Sequence, residues 1–155
     1  MHAATVSDLT AFLEREFAQV ASDFVIERLT EDGIEVRLRV ADRHLRPGGT
    51  VSGPSMFALA DVAIYLAILS RIGPIALAVT TSANIDFLRK PMADTDLIAT
   101  CRLLKLGRAL AVGEVLIYSE GADAPVARAA MTYSIPPDRR AEGAQGGKSE
   151  AKTGR

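Results

Sequence analysis

Apolar residues recur along the chain at two different spacings, which separate predicted helices from predicted strands. Near the start, four of them lie three or four positions apart: Leu9, Phe12, Leu13 and Phe17. This spacing predicts a short amphipathic helix over residues 7–20, with a polar N-cap in the segment that begins at Ser7. Farther on, residues 34–40 alternate strictly between apolar and charged side chains, which is typical of a half-buried antiparallel strand.

Six segments are predicted to be strands, and turn residues separate them. The first two flank the sequence Thr30-Glu31-Asp32-Gly33, whose Asp-Gly pair is typical of a hairpin. No helix alternates with the later strands, so the sequence favours an antiparallel sheet over a parallel one. The six predicted strands cover residues 24–29, 34–40, 76–87, 97–106, 108–119 and 126–135.

A long apolar helix is predicted between the second and third strands. Residues 55–71 read SMFALADVAIYLAILSR, and apolar side chains point in nearly every direction, which predicts a helix that is buried all round. Ser52 or Gly53 is the expected cap, and Pro54 suits the first helical position, where its missing N–H is no loss. A Gly-Pro pair at 73–74 ends the helix. The simplest packing is one α+β domain in which an antiparallel sheet curls around this helix.

Composition and charge exclude several classes of protein. The chain has 155 residues and 48% hydrophobic content, which suffices for the core of one domain. It has one cysteine, so it cannot form a disulfide within the chain. The net charge of −1 and the absence of tryptophan argue against nucleic acid and acidic membranes as partners. The start is polar rather than a signal peptide, and the apolar run 56–69 is short for a membrane span, so we expect a cytoplasmic protein.

The end of the chain has a different composition from the rest. Residues 138–155 contain Gly, Ala, Glu, Lys and Arg but no large apolar side chain. Such a segment buries too little apolar surface to offset its chain entropy. The sequence therefore predicts a folded domain over residues 1–137 and a disordered tail over residues 138–155.

A single carboxylate, Asp61, interrupts the apolar helix. A buried carboxylate without partners is costly, so this side chain must meet hydrogen-bond donors or water. Two interpretations stay open: a structural acid bonded to a neighbouring strand or subunit, and a catalytic acid that faces a cleft. Acids are rare in such a position, which favours the second interpretation. Tyr65 lies one turn later on the same face, where we expect a core tyrosine with its hydroxyl at the edge of the cleft.

The start of this helix is the second candidate site. Its first N–H groups lack intrahelical partners and carry the positive end of the helix dipole, so they would stabilise negative charge on an oxygen of a bound ligand. From Ser52 to Asp61 is nine residues, or about 13 Å along the axis. One helix therefore does not bring both groups to one reacting carbon, and a second chain or an extended substrate is needed.

Other polar residues carry weaker signals. His44 has no Cys or His partner nearby, which argues against zinc and favours a histidine at the surface or at a cleft edge. We expect Asp86 to form an exposed ion pair and Cys101 to be a small buried hydrophobe. Four basic residues flank strand ends and would either bind the phosphates of a ligand or form a solvated rim: Arg89, Lys90, Lys105 and Arg108.

The run GGTVSGPSMFALAD from Gly48 to Asp61 resembles the PaaI-like hotdog-fold acyl-CoA thioesterases. In that family a His-Gly-Gly loop leads into the central helix, and a catalytic Asp or Glu follows nine positions after the histidine. Three later segments are also similar: NIDFLRKP at 84–91, KLGR at 105–108 and ARAAMTY at 127–133. The resemblance covers residues 10–136.

The resemblance implies a hotdog fold and a homodimer, or a dimer of dimers, with active sites at the subunit interface. It implies that Asp61 acts as general base or nucleophile, that the Gly53 N–H binds the thioester oxygen, and that Thr81 helps to hold the hydrolytic water. Neither a metal nor a cofactor is implied beyond the acyl-CoA substrate. The Ser52 position belongs with these catalytic positions. The expected substrate contacts are Arg46, Pro54, Tyr65, Arg89, Lys90, Lys105, Gly107 and Arg108.

Two residues depart from the family pattern. Ser52 stands where many members have histidine, and Arg46 stands where some have asparagine. The contact from Gly53 is made by the backbone and does not depend on either side chain. A non-catalytic acyl-CoA-binding protein is therefore a second hypothesis. A hydratase or dehydratase is a weaker third, because that chemistry normally needs a histidine together with an acid.

Overall fold

The computed structural model describes residues 2–74 and 78–137, which form two helices, six strands and short connections. Two 3₁₀ turns, Ala21–Asp23 and Asp42–His44, lie in the loops before β1 and before α2. In chain order the main elements are α1 (Val6–Glu16), β1 (Phe24–Leu29), β2 (Gly33–Leu38), α2 (Gly53–Ile72), β3 (Val79–Phe87), β4 (Leu97–Leu106), β5 (Leu110–Ser119) and β6 (Pro125–Ser134).

The six strands form one antiparallel sheet in the order β1-β2-β4-β5-β6-β3. The long helix α2 packs on the strands from β2 to β6. This is the predicted α+β architecture of a sheet around a central helix. The strands β1 and β3 form the two edges, and most side chains of β3 are exposed. The predicted tail, residues 138–155, lies outside the described residues, as does the start of the predicted third strand.

The ends of α2 agree with the sequence prediction. Ser52 is the N-cap, and its hydroxyl accepts a hydrogen bond from the Ser55 N–H at 3.3 Å. Pro54 lies in the first turn, and Gly73 ends the helix with φ of +92°. The helix has 20 residues and is longer than the predicted apolar run 56–69. By length and composition alone, it is long and apolar enough to cross a membrane. Packing against the sheet explains this composition, because 61% of the most apolar stretch of the helix is buried in the protein.

The expectation that α2 is buried all round is wrong for one stripe. Pro54, Phe57 and Ala58 are exposed, and Asp61 is partly exposed. These positions are three or four residues apart, so they share one face of the helix. The sheet covers the other faces and leaves this one open. An apolar composition alone does not reveal which face stays uncovered.

The first helix is shorter than predicted and begins earlier. Thr5 is the N-cap, and with Asp8 it forms a reciprocal capping box. A capping box satisfies two otherwise unpaired N–H groups, which explains why the helix starts ahead of Ser7. It ends at Glu16, and the chain then passes through a 3₁₀ turn into β1. The predicted apolar positions Leu9, Phe12 and Leu13 are buried against the domain as expected.

Close backbone packing joins the sheet and the helix. A Cβ at Gly113 on β5 would lie 3.2 Å from Cγ1 of Ile64 on α2. Cys101 on β4 is buried in the core, as predicted, and burial raises the pKa of its thiol to about 12. The thiol is therefore neutral and acts as part of the apolar interior.

Truncation of a buried α2 side chain should destabilise the protein strongly. Leu66 is fully buried at 0% exposure, whereas Leu104 on β4 is 52% exposed. We expect Leu66→Ala to lower the free energy of unfolding by about 2–5 kcal/mol, and Leu104→Ala to change it by about 0.5 kcal/mol or less. Urea titrations followed by circular dichroism measure both values. Equal losses in the two variants would contradict the described core.

Candidate functional site

Two strands supply hydrogen bonds to the carboxylate of Asp61. The Thr80 hydroxyl on β3 donates to its Oδ1 atom at 2.7 Å, and the Tyr133 hydroxyl on β6 donates to the same oxygen. The Tyr133 hydroxyl also lies 3.0 Å from the backbone oxygen of Asp61. Among the described residues, no donor contacts Oδ2. One oxygen of the carboxylate is therefore held by the protein, and the other is available to a ligand or water.

Tyr133 is suited to remain a donor in this contact. It is buried, and burial together with the hydrogen bond to Asp61 raises the pKa of its phenol well above the ordinary range. A protonated phenol beside an ionised carboxylate is a stable donor–acceptor pair. Asp61 is thus bonded to neighbouring strands, as the first interpretation of the sequence requires, and it also faces a cavity, as the second requires.

The cavity beside Asp61 has a volume of about 420 Å³. Among the described residues, four side chains with polar atoms line it, Asp61, Tyr65, Thr80 and Tyr133, and the hydroxyls of Thr80 and Tyr133 both donate to Asp61. Tyr65 lines the cavity and is 8% exposed, which fits the expected core tyrosine at a cleft edge. The remaining lining residues are apolar and come from the end of α1, the middle of α2 and the start of β3: Leu13, Phe17, Val20, Val62, Ala78 and Val79.

The start of α2 opens into a separate cavity of about 670 Å³. Gly53, the first residue of the helix, lines it, and a Cβ at this position would lie 3.1 Å from Cζ of Phe87. A side chain here would crowd the cavity, so glycine keeps the backbone accessible. Three of the predicted substrate contacts line the same cavity, namely Arg46, Arg89 and Lys90.

The Ser52 side chain caps the start of α2. Its hydroxyl donates to Ser55 Oγ at 3.0 Å and accepts from the Ser55 N–H. The hydroxyl is therefore part of the N-cap. Serine at this position organises the first turn of α2.

Within residues 2–74 and 78–137, the two cavities share no lining residue. Gly53 and Asp61 lie on the same helix, eight positions or about 12 Å apart. The geometry of the single chain therefore does not bring these two predicted site residues together. Pro54 is exposed on the helix face that also carries Asp61.

Other predicted site residues lie elsewhere. Thr81 is the extra residue of a β-bulge in β3, and its hydroxyl donates to the Thr132 backbone oxygen at 3.3 Å. Thr80, rather than Thr81, contacts Asp61 in this chain. Lys105 lines a groove with Glu31 and Arg71, away from both cavities. Gly107 and Arg108 lie at the turn between β4 and β5.

The expected surface position of His44 is wrong. The side chain is buried, with Nε2 3.2 Å from Asp23 Oδ2 and with Nδ1 accepting from the Ala41 N–H at 2.9 Å. Burial, with a contribution from the nearby Arg43 charge, lowers the pKa of the imidazole. The His44 backbone oxygen accepts a hydrogen bond from the Ser52 N–H at 2.8 Å. The contact between His44 and Asp23 therefore anchors the loop that leads into α2.

The remaining polar predictions have simple outcomes. Asp86 forms an exposed ion pair with Arg128 at 3.5 Å, as expected. Within residues 2–74 and 78–137, no three His, Cys, Asp or Glu side chains are grouped so that they could hold a metal ion. Thr80 and Tyr133 are the site residues that the sequence did not indicate, because their contact with Asp61 depends on how β3 pairs with β6.

Comparison with known proteins gives one family. The model of the thioesterase superfamily matches residues 48–125, a span that contains the start of α2 and Asp61. No curated protein matches significantly. Among solved structures, a candidate thioesterase from Silicibacter sp. TM1040 is 56% identical with a TM-score of 0.83, over 88% of this chain and 95% of that one.

Two further structures extend the comparison. A mutant of the phenylacetic acid degradation protein PaaI from Thermus thermophilus is 28% identical with a TM-score of 0.66, over 77% of this chain and 99% of that one. Zebrafish thioesterase superfamily member 2 is 22% identical with a TM-score of 0.74, over 86% of this chain and 100% of that one. The last likeness concerns the fold.

The raised pKa of Tyr133 predicts how stability depends on pH. A phenol whose pKa is raised on folding stabilises the protein fully below the unfolded value of about 10 and loses that contribution as the pH rises above it. Burial raises the pKa of Tyr65 in the same direction. We therefore expect the free energy of unfolding to fall as the pH rises above about 10, and to fall less in Tyr133→Phe. Urea titrations across this range test the difference, and equal falls in both proteins would contradict it.

Proposed function

The chain belongs to the thioesterase superfamily, as a hotdog-fold protein of the PaaI-like type, and from this premise we propose that it hydrolyses acyl-CoA thioesters at sites shared by two subunits. The observation that carries the proposal is the geometry of Asp61. Its Oδ1 atom is held by Thr80 and Tyr133, and the side chain lines an apolar cavity. Such an acid is positioned to act on a group that enters from that cavity.

The proposed reaction uses one backbone group and one carboxylate. The thioester oxygen accepts a hydrogen bond from the Gly53 N–H, where the helix dipole stabilises the negative charge that develops. Asp61 either takes a proton from water, which attacks the carbonyl carbon, or attacks that carbon itself. The carbon–sulfur bond then breaks, and the departing thiolate of coenzyme A takes up a proton, from Asp61 in the first case and from solvent water in the second. In the second case, water hydrolyses the acyl-enzyme anhydride.

The cavity at the start of α2 supports the proposed place of coenzyme A. Arg46, Arg89 and Lys90 line it together with Gly53, so positive charge lies beside the proposed oxyanion position. Phosphate groups pair well with such side chains. Lys105 and Arg108 lie away from this cavity within one chain, so their proposed contacts, like that of Thr81, require a neighbouring subunit.

The distance between Gly53 and Asp61 supports a site made by two chains. The strand β3 is a sheet edge with mostly exposed side chains, and an unpaired edge is a template for pairing with another copy. The open face of α2 presents Phe57, at 37% exposure, beside Asp61. We therefore propose a homodimer. A dimer of dimers is a prediction that rests on the family resemblance, and a cytoplasmic location is one that rests on the polar start of the chain.

The cap formed by Ser52 bears on the second hypothesis. Its hydroxyl is committed to Ser55, and it offers no imidazole to the reaction. A protein that binds acyl-CoA without hydrolysing it would have the same two cavities but would not cleave the thioester bond. The release of free thiol distinguishes the two functions directly.

Loss of the Asp61 carboxylate should abolish most of the activity. We expect Asp61→Asn to lower kcat/KM for acyl-CoA hydrolysis by about a hundredfold to ten-thousandfold. The matched control is Asp123→Asn, which removes an exposed acid in the turn between β5 and β6 and should retain the wild-type rate. A thiol-trapping assay on a panel of acyl-CoAs measures both. Equal rates for wild type and Asp61→Asn would remove Asp61 from the mechanism.

A shared site predicts complementation between two inactive variants. Gly53→Pro removes the proposed oxyanion N–H, whereas Asp61→Asn removes the acid. When the two are mixed under conditions that exchange subunits, a mixed dimer regains one intact pair, so we expect part of the activity to return. Circular dichroism checks that Gly53→Pro folds. If each site lay within one chain, mixing would restore nothing.

A further inference from the structure

The loop that leads into α2 is closed at its base by two contacts. The His44 backbone oxygen accepts a hydrogen bond from the Ser52 N–H at 2.8 Å, and an antiparallel bridge pairs Leu45 with Val51. We call residues 44–52 the entry loop. Its last residue is the N-cap of α2, so the next N–H along the chain is the proposed oxyanion donor. The place of that donor therefore depends on what holds the base of the entry loop.

The His44 side chain holds this base from two directions. Its Nδ1 atom accepts a hydrogen bond from the Ala41 N–H at 2.9 Å, and its Nε2 atom lies 3.2 Å from Asp23 Oδ2. Because Nδ1 is the acceptor, the ring proton is on Nε2 and points to the carboxylate. Burial, with a contribution from the Arg43 charge, lowers the pKa of the imidazole and so favours this neutral form. Both ring nitrogens are thus engaged.

The partner acid, Asp23, belongs to the framework of the sheet. It directly precedes β1, and its backbone oxygen accepts a hydrogen bond from the Arg39 N–H at 2.8 Å, just after β2 ends. Its side chain is buried and also accepts a hydrogen bond from the Arg43 guanidinium. A buried polar network whose members are all hydrogen-bonded is rigid. Asp23 therefore ties the entry loop to the first two strands through His44.

The imidazole of His44 does not reach the proposed substrate. Within the described part of the chain, His44 lines neither the cavity at the start of α2 nor the cavity beside Asp61. It therefore does not supply the imidazole that the Ser52 position lacks. The entry loop does line the first of these cavities, through Arg46 and Thr50 among others. Any effect of His44 on chemistry at the start of α2 is thus transmitted by the position of this loop.

We propose that His44 and Asp23 are positioning residues, which set the place of the entry loop and of the Gly53 N–H relative to the cavity at the start of α2. The inference rests on the proposed function, since it assigns a role at the same site. A catalytic group that is misplaced by about 1 Å can cost about a hundredfold in rate. A buried pair that joins the loop to the sheet prevents such a displacement.

Variants of His44 separate its two hydrogen bonds. His44→Asn keeps an acceptor near the place of Nδ1, His44→Gln keeps a donor near the place of Nε2, and His44→Ala keeps neither. We expect kcat for acyl-CoA hydrolysis to fall about tenfold to a hundredfold in His44→Ala. KM should change little, because the Gly53 N–H acts on charge that develops in the transition state. The asparagine and glutamine variants should show intermediate rates in a thiol-trapping assay.

A control and a second variant show whether the effect depends on the pair. Asp42→Asn changes an exposed acid on the same turn and should retain the wild-type kcat. Asp23→Ala should lower kcat as His44→Ala does, and the double variant should lose little more than either single variant, because the two residues act together. A wild-type kcat in His44→Ala would overturn the inference while the hydrolase stands. If His44→Ala fails to fold, a wild-type kcat in both His44→Asn and His44→Gln overturns it instead.

Amide hydrogen exchange, measured by NMR, separates this inference from the proposed function because it needs no turnover. The Leu66 N–H, in the buried part of α2, reports global unfolding, whereas the Ser52 N–H reports the base of the entry loop. In His44→Ala we expect exchange at Ser52 to accelerate at least about tenfold more than exchange at Leu66. If the wild type releases no thiol, the hydrolase is overturned and exchange alone decides the inference. Local acceleration at Ser52 then upholds it, and equal acceleration at both residues overturns it.

Discussion

The removal of α2 from water is the constraint on which the other elements depend. A helix of this composition has almost no polar face, so the chain must cover it, and the antiparallel sheet does so from β2 to β6. The cover is incomplete along the stripe of Pro54, Phe57, Ala58 and Asp61. This gap is where a carboxylate is tolerated, because its side chain reaches both strand donors and open space. The same packing that forms the core therefore determines where chemistry is possible.

The electrostatics of α2 divide the proposed work between its start and its middle. At the start, the Gly53 N–H and the arginine and lysine side chains favour negative charge. In the middle, Asp61 is itself negative and is stabilised by two hydroxyl donors from strands that lie far from it in sequence. Because the helix is rigid, its start and its Asp61 cannot approach each other within one chain. A twofold axis between two copies is the simplest arrangement that would place the start of one helix near the acid of the other.

Much of the fold follows from local patterns in the sequence. The caps at Ser52 and Gly73 and the alternation of β2 are each encoded within a few residues, so pattern and propensity suffice. The pairing of Thr80 and Tyr133 with Asp61, and of Asp23 with His44, is different, since it depends on strand register and on the path of a loop. A lone histidine in a polar loop looks exposed until the chain brings an acid to it. The open stripe of α2 was likewise hidden, because sequence shows how apolar a helix is but not which neighbours cover it.

The bulge in β3 has a consequence for how related sequences are aligned. Tyr133 lies opposite Thr80 and Thr132 lies opposite Ser82, so Thr81 is an extra residue and the alternation of the strand changes phase there. The partly buried positions Thr80 and Ile85 are accordingly an odd number of residues apart. In a relative without the bulge, the residue that aligns with Thr81, rather than the one that aligns with Thr80, would face the acid. Position counting across this strand therefore shifts by one, and the hydroxyl that serves the carboxylate can move between adjacent residues in evolution without any change of chemistry.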